Sequence, residues 1–122
     1  MDIVIETAHL KVEAELFETA TARAIYQALP IEAAARTWGD EIYFEIPVTE
    51  ELDETAREVV EAGDLGYWPT GKALCIFFGP TPVSGPGEIR PASAVNIVGR
   101  VRGRPESFKN VPSGNKITVS RT

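Results

Sequence analysis

Glycine and proline residues divide this chain into short apolar segments, and the short length of these segments limits the folds that the chain can adopt. The 122 residues include 10 glycines and 9 prolines, and the longest apolar run, 73–78, has six residues. A helix that spans a membrane needs roughly 20 apolar residues, so no membrane partner is expected. Short apolar segments between turn residues are typical of all-β barrels and sandwiches. The length predicts one domain over residues 1–122.

An alternation of apolar and polar residues with a period of two predicts a series of short strands. In the clearest strand, 41–46, Glu41, Tyr43 and Glu45 share the face opposite the apolar residues. The other predicted strands are a hairpin over residues 1–16 and the segments 65–68, 73–78, 94–101 and 117–119. We therefore expect a mainly β fold of about eight strands, either a closed barrel or a sandwich; closure would also leave no exposed sheet edges.

One main helix is predicted between the first hairpin and the third strand. Thr19 or Thr21 is a suitable N-cap, apolar residues follow at spacings of three and four, and Pro30 ends the helix. Residues 50–61 are predicted either as a short acidic helix or as a loop. Residues 104–109 are predicted as a second short helix.

The charge is distributed unevenly along the chain. The net charge is −6, which argues against nucleic acid or an anionic membrane as a partner. Residues 1–64 carry 16 of the 18 acidic side chains, whereas residues 65–122 carry eight of the 12 basic ones. We expect the two halves to face each other within one fold; the alternative is a basic face made by Arg100, Arg102 and Arg104.

The segment GYWPTGKA, residues 66–73, nearly matches the phosphate-binding pattern G-x-x-x-x-G-K-[ST], but Ala73 replaces the hydroxyl residue that would bind magnesium. A phosphate-binding loop also needs a helix after it, and the apolar run that follows is typical of a strand. We therefore expect a hairpin turn, in which Pro69 occupies the second position and Gly71 supplies a positive φ. Lys72 is then expected to be exposed.

No pattern of catalytic or metal-binding residues is present. The chain has one histidine, His9, expected beside a turn and exposed, and one cysteine, Cys75, expected to be buried. Three carboxylates, Glu41, Glu45 and Asp64, lie near predicted strand ends, but no sequence spacing pairs them. The sequence thus predicts no catalytic residue, no cofactor and no metal.

Aromatic residues suggest a binding pocket. Seven of the ten lie between positions 38 and 78, and strand alternation leaves at least two of them outside the main core. The alternative is a second, minor core beneath the Gly- and Pro-rich loop 79–91. The candidate pocket residues are four aromatics and three polar anchors: Trp38, Tyr43, Tyr67, Trp68, Arg36, Glu45 and Asn96.

Three long segments resemble the cyclophilin-like domains of small prokaryotic proteins of unknown function. They are TWGDEIYFEIPV (37–48), GDLGYWPTGKALCIFFGPTP (63–82) and PASAVNIVGRV (91–101). The first hairpin, the helix and a TAREVV segment occur in the order expected for that family. The resemblance implies an eight-stranded, closed cyclophilin-like barrel with one main helix and one or two short helices.

The resemblance does not extend to prolyl isomerase activity. True cyclophilins have an F-H-R segment and a Q-G-G-D segment, and neither is present: His9 is not flanked by Phe and Arg, and Arg36 follows Ala35. More distant relatives with this barrel occur as domains of allophanate-hydrolysing and kinase-inhibitor systems. This keeps both a small-molecule and a protein-partner role open.

The sequence therefore predicts a barrel that binds a small molecule or a peptide at an aromatic-lined pocket. One alternative is a peptidyl-prolyl isomerase with a rebuilt site around Arg36, and another is a scaffold that acts by protein association. The single cysteine and the start MDIVIET, which lacks the features of a signal peptide, favour a cytoplasmic location.

Overall fold

Antiparallel pairing, mostly between segments that are far apart in the chain, builds the structure. The computed structural model describes all residues, 1–122. The ten strands are β1 Asp2–Glu6, β2 Lys11–Leu16, β3 Ile31–Ala34, β4 Arg36–Thr37, β5 Glu41–Glu45, β6 Ala56–Arg57, β7 Asp64–Trp68, β8 Ala73–Phe77, β9 Val95–Val101 and β10 Lys116–Arg121. The helices are α1 Ala20–Ala28 and two 3-10 helices, Pro69–Gly71 and Pro105–Asn110.

The strands form a nearly closed antiparallel barrel, as predicted. They are ordered β3-β10-β1-β2-β9-β7-β8-β5-β4, and the two ends of this order, β3 and β4, are successive segments separated only by Ala35. The bent segment 31–37 therefore closes the ring by pairing with β10 on one side and with β5 on the other. There are ten strands rather than eight because this bend divides one strand, and because β6 is a short addition to β9.

The helix begins and ends where the sequence predicts. Of the two candidates for the N-cap, it is the Thr19 side chain that accepts a hydrogen bond from the Ala22 backbone N–H, at 3.2 Å. Ala22 and Ile25 are fully buried, and Pro30 follows the last turn. No helix of the structure combines the length and apolar character needed to cross a membrane.

The acidic segment 50–61 is not helical; it is a loop, as the alternative predicts, except for the two-residue strand β6. The buried side chain of Asn96 on β9 binds its backbone: Nδ2 donates to the Glu51 carbonyl at 2.9 Å, and Oδ1 accepts from the Asp53 N–H at 3.0 Å. Burial opposes ionisation of Asp53, but hydrogen bonds from Thr55 and Thr21 hold its pKa below the usual value. These bonds satisfy backbone groups that a helix would otherwise pair internally.

A bulge in β9 changes which side chains enter the barrel. Strict alternation predicts that Val95 and Val101 share a face, and this is wrong. The pairing of β7 with β9 shifts register between Leu65 and Gly66, which leaves Val98 as an extra residue. As a result Val98 and Val101 both belong to the main core of 25 buried residues, whereas Val95 lies in a separate cluster.

The acidic and basic halves of the chain face each other, as expected. Arg100 on β9 pairs with Asp64 on β7 at 2.7 Å. Arg102 pairs with Asp2 on β1 at 2.7 Å and approaches Glu15 on β2 at 3.6 Å. Both arginines therefore form ion pairs with carboxylates from the acidic half of the chain.

Candidate functional site

The GYWPTGKA segment forms the β7–β8 hairpin, and its glycine has a different role from the one expected. The positive φ of the turn, 49°, is at Lys72, whose side chain is exposed, and not at Gly71. A Cβ at Gly71 would lie 2.7 Å from the ring of Trp68. Gly71 therefore makes room for the indole, and the prediction of a positive φ at this residue is wrong.

The outer face of this part of the barrel carries a second hydrophobic cluster. The loop 79–94 is held against it by Val60, whose N–H donates to the Ile89 carbonyl at 2.9 Å. The five buried members of this second cluster are Val60, Ala73, Cys75, Phe77 and Val95. The predicted minor core therefore exists.

A cavity of about 170 Å³ opens beside this cluster. Its volume is close to the ~150 Å³ of an engineered protein cavity that admits benzene. Glu41, Cys75 and Val95 are buried at its base, whereas the three aromatic residues that line it are partly exposed. The complete lining is Trp38, Glu41, Tyr43, Trp68, Cys75, Pro91, Ala92 and Val95.

Backbone and side-chain contacts fix the aromatic residues around this cavity. The Trp38 N–H donates to the Glu41 carbonyl at 2.9 Å, across a turn in which Gly39 has a φ of 60°. A Cβ at Gly39 would lie 2.9 Å from the Pro80 carbonyl oxygen, so this turn packs closely on the loop 79–94. The indole Nε1–H of Trp68 donates to Ser93 Oγ in the same loop, at 2.7 Å. One loop thus positions both tryptophans.

Glu41 is the polar group at the base of the cavity. Glu41 is 5% exposed, and its buried carboxylate oxygen Oε1 has no hydrogen-bond partner. Burial raises the pKa of Glu41 to about 7, although a side-chain hydrogen bond from the neighbouring Cys75 thiol acts in the opposite direction. Burial and the proximity of Glu41 raise the pKa of Cys75 well above its usual value. Near neutral pH, Glu41 can therefore accept or donate a hydrogen bond, whereas the thiol stays protonated and unreactive.

Three of the seven predicted pocket residues, Trp38, Tyr43 and Trp68, line this cavity together. Sequence reasoning did not select Glu41 as the polar group, although strand alternation places it on the same face as Tyr43. It assigned the polar role to Arg36, Glu45 and Asn96. Glu45 lies four residues beyond Glu41 on β5 and is exposed. Glu41 was noted only as one of three carboxylates near strand ends.

The other predicted pocket residues are not part of the cavity lining, although Arg36 lies opposite the lining residue Tyr43. Arg36 on β4 is exposed, as is Glu45. Tyr67 is fully buried in the main core, where its hydroxyl donates to the Val48 carbonyl at 2.6 Å. Asn96 is fully buried and holds the segment 50–56. A binding role for these four residues stays a prediction.

The fold and sequence are similar to those of known proteins. The solution structure of the hypothetical protein AF2241 from Archaeoglobus fulgidus is 46% identical, with a TM-score of 0.85, and the match covers 100% of this chain and 95% of that chain. The structure of McbB in complex with tryptophan has a TM-score of 0.71 at 16% identity, and the match covers 98% of this chain and 44% of that chain. The likeness to McbB concerns the fold alone.

A family model described as Cyclophilin-like matches residues 1–120. The search of curated proteins finds no match. Because the family model spans nearly the whole chain, and because the segments that carry the resemblance form the β5, β7–β8 and β9 walls, this chain belongs to the cyclophilin-like family.

Proposed function

We propose that this protein binds a small organic molecule in the cavity lined by Trp38, Tyr43 and Trp68. The observation that carries the proposal is the buried Glu41 Oε1, which has no partner within the chain. Buried polar atoms in folded proteins are nearly always hydrogen-bonded. An unpaired oxygen on a residue that lines a cavity can therefore accept a hydrogen bond from a ligand.

The composition of the cavity supports the same proposal. Ligand pockets combine mostly apolar and aromatic walls with a few polar groups that orient the ligand. Six of the eight lining residues are hydrophobic, and Glu41 is the only charged one. The volume suits a molecule of about the size of benzene, or a larger one that extends through the open side.

The fluorescence of the protein provides a direct test. The chain has two tryptophans, and both line the cavity, so selectively excited indole emission reports on this site. We expect a saturable change in emission when the protein is titrated with a panel of benzene-sized molecules that includes neutral, cationic and anionic members.

Two loop variants make the test specific. Ala92 lies in the lining and is exposed, so Ala92→Phe fills the cavity without entering the core, and we expect it to abolish the fluorescence response. Val83 is in the same loop, 50% exposed and outside the lining, so Val83→Phe is a matched control that should bind as the wild type does. A panel with no saturable response, or an unchanged response in Ala92→Phe, would contradict the proposal.

A further inference from the structure

The charged side chain that lines the cavity is acidic. Glu41 lines it, and no lysine, arginine or histidine does. Arg90, the only basic side chain in the loop 79–94, forms an ion pair with Glu88 at 2.8 Å. Arg36, which lies opposite Tyr43 on the neighbouring strand β4, is exposed and outside the lining. An anionic ligand would meet an acidic group with no compensating cation, which disfavours carboxylates and phosphates.

Two features of the lining favour a cation that carries an N–H group. The buried Glu41 Oε1 lacks a hydrogen-bond donor. Two tryptophans and one tyrosine surround the space, and the faces of aromatic rings attract organic cations, most strongly in the case of tryptophan. A carboxylate that receives a hydrogen bond from an ammonium forms one of the stronger polar contacts in proteins.

We infer that the ligand of this cavity is a protonated amine, whose ammonium group donates a hydrogen bond to Glu41 and whose hydrocarbon part packs against Trp38, Tyr43 and Trp68. This inference rests on the proposed function and narrows it to one chemical class. A quaternary ammonium ion satisfies the aromatic walls but has no N–H for Oε1. A neutral alcohol can donate a hydrogen bond but forms no ion pair.

Binding of an amine is coupled to the ionisation of Glu41. The pKa of the free carboxyl is about 7, so below that pH the ammonium must displace a proton from it. Affinity should therefore fall by up to about tenfold for each pH unit below 7. The only other titratable side chains in the lining are Tyr43 and Cys75, and burial keeps the thiol protonated.

Calorimetric titration with a matched pair of probes tests the inference. Isoamylamine and isoamyl alcohol have the same carbon skeleton, and both are close to benzene in size. At about pH 8 we expect the wild type to bind the amine at least about tenfold more tightly than the alcohol, because hydrogen bonds to charged groups are the stronger ones. The affinity for the amine, and not for the alcohol, should weaken by about tenfold between pH 8 and pH 6.

Two variants test whether the Glu41 carboxyl causes the preference for the amine. Glu41→Gln keeps the shape of the side chain and removes the charge, so it should lose both the preference for the amine and its pH dependence. Glu13→Gln makes the same change on β2 at an exposed residue outside the cavity, and it should keep both. A variant that binds neither probe is checked for folding by circular dichroism.

Each result separates this inference from the proposal on which it rests. If the wild type binds the alcohol as tightly as the amine, the ligand class is wrong while small-molecule binding stands. If Glu41→Gln remains folded and keeps the preference for the amine, the assignment to Glu41 is wrong. If neither probe binds and only neutral or anionic members of the fluorescence panel do, only the amine inference is overturned; if nothing binds, both are.

Discussion

Replacing Glu41 with glutamine isolates the free energy of burying a charged carboxylate in the cavity. Glutamine has nearly the same shape but does not titrate. In the wild type, the folded chain holds the Glu41 proton more strongly than the unfolded chain does, because burial raises its pKa from the usual 4.5 to about 7. The variant lacks this difference.

The size of the effect follows from the two pKa values. Each unit of difference between the folded and unfolded states corresponds to about 1.4 kcal/mol. Between 4.5 and about 7, the ionised form of Glu41 therefore lowers the free energy of unfolding by about 3 kcal/mol once it is fully charged in both states. Glu41 is only 5% exposed, so solvent screening reduces this value little.

The sign of the pH dependence is fixed by the direction of the shift. Because the folded-state pKa is raised, the contribution of Glu41 to stability is fully present below the unfolded value and is lost as the pH rises towards 7. From about pH 4.5 to pH 8, the stability of Glu41→Gln relative to the wild type should rise by about 3 kcal/mol. Urea denaturation at several pH values, followed by circular dichroism, measures this change.

The pH dependence is the diagnostic quantity, since the carboxamide also adds a constant difference that does not depend on pH. Glu45→Gln is the matched control: Glu45 is exposed on the same strand, and its difference from the wild type should change by less than about 0.5 kcal/mol over the same range. A flat difference curve for Glu41→Gln would refute the reasoning, because it would mean that the carboxyl is solvated in the folded protein.

Three further substitutions test the packing around the site. Gly71→Ala places a Cβ 2.7 Å from the Trp68 ring, so it should lower the free energy of unfolding by about 1–3 kcal/mol and shift the Trp68 indole N–H signal in NMR spectra. Asn96→Ala removes the buried amide that holds the segment 50–56 and should lower stability by about 1–3 kcal/mol in urea denaturation. Arg100→Ala leaves the buried Asp64 carboxylate without its ion partner and should lower stability by about 1–3 kcal/mol.

Each of these three substitutions has its own control or contrary result. At Gly103 an added Cβ meets only Val12, at 3.9 Å, so Gly103→Ala should leave the Trp68 signal in place; an equal shift in both variants would refute the packing argument. Asn110 is exposed, and Asn110→Ala should be nearly neutral in comparison with the change at Asn96. An effect of the Arg100 substitution below about 0.5 kcal/mol would mean that the Asp64 carboxylate is solvated without its partner.

Much of the barrel could be predicted from local pattern. Strand alternation and the positions of glycine and proline located the first hairpin, β5, the β7–β8 hairpin and the helix capped by Thr19. The pattern was misleading where long-range pairing decides the outcome. The bulge at Val98 arises from the register between β7 and β9, and the loop conformation of residues 50–61 depends on Asn96, which lies far away in the sequence.

In the candidate site, too, some residue positions follow from the local sequence pattern and others depend on long-range packing. The sequence by itself determined that Glu41, Tyr43 and Glu45 share the outer face of one strand, because successive side chains of a strand point to opposite sides. Only the tertiary structure decided between the two carboxylates. The loop 79–94 and the turn at Gly39 lie beside Glu41 and leave Glu45 in solvent, and it is this covering that buries one carboxyl and raises its pKa. Burial depends on which distant segment packs above a residue, and a local pattern carries no information about that.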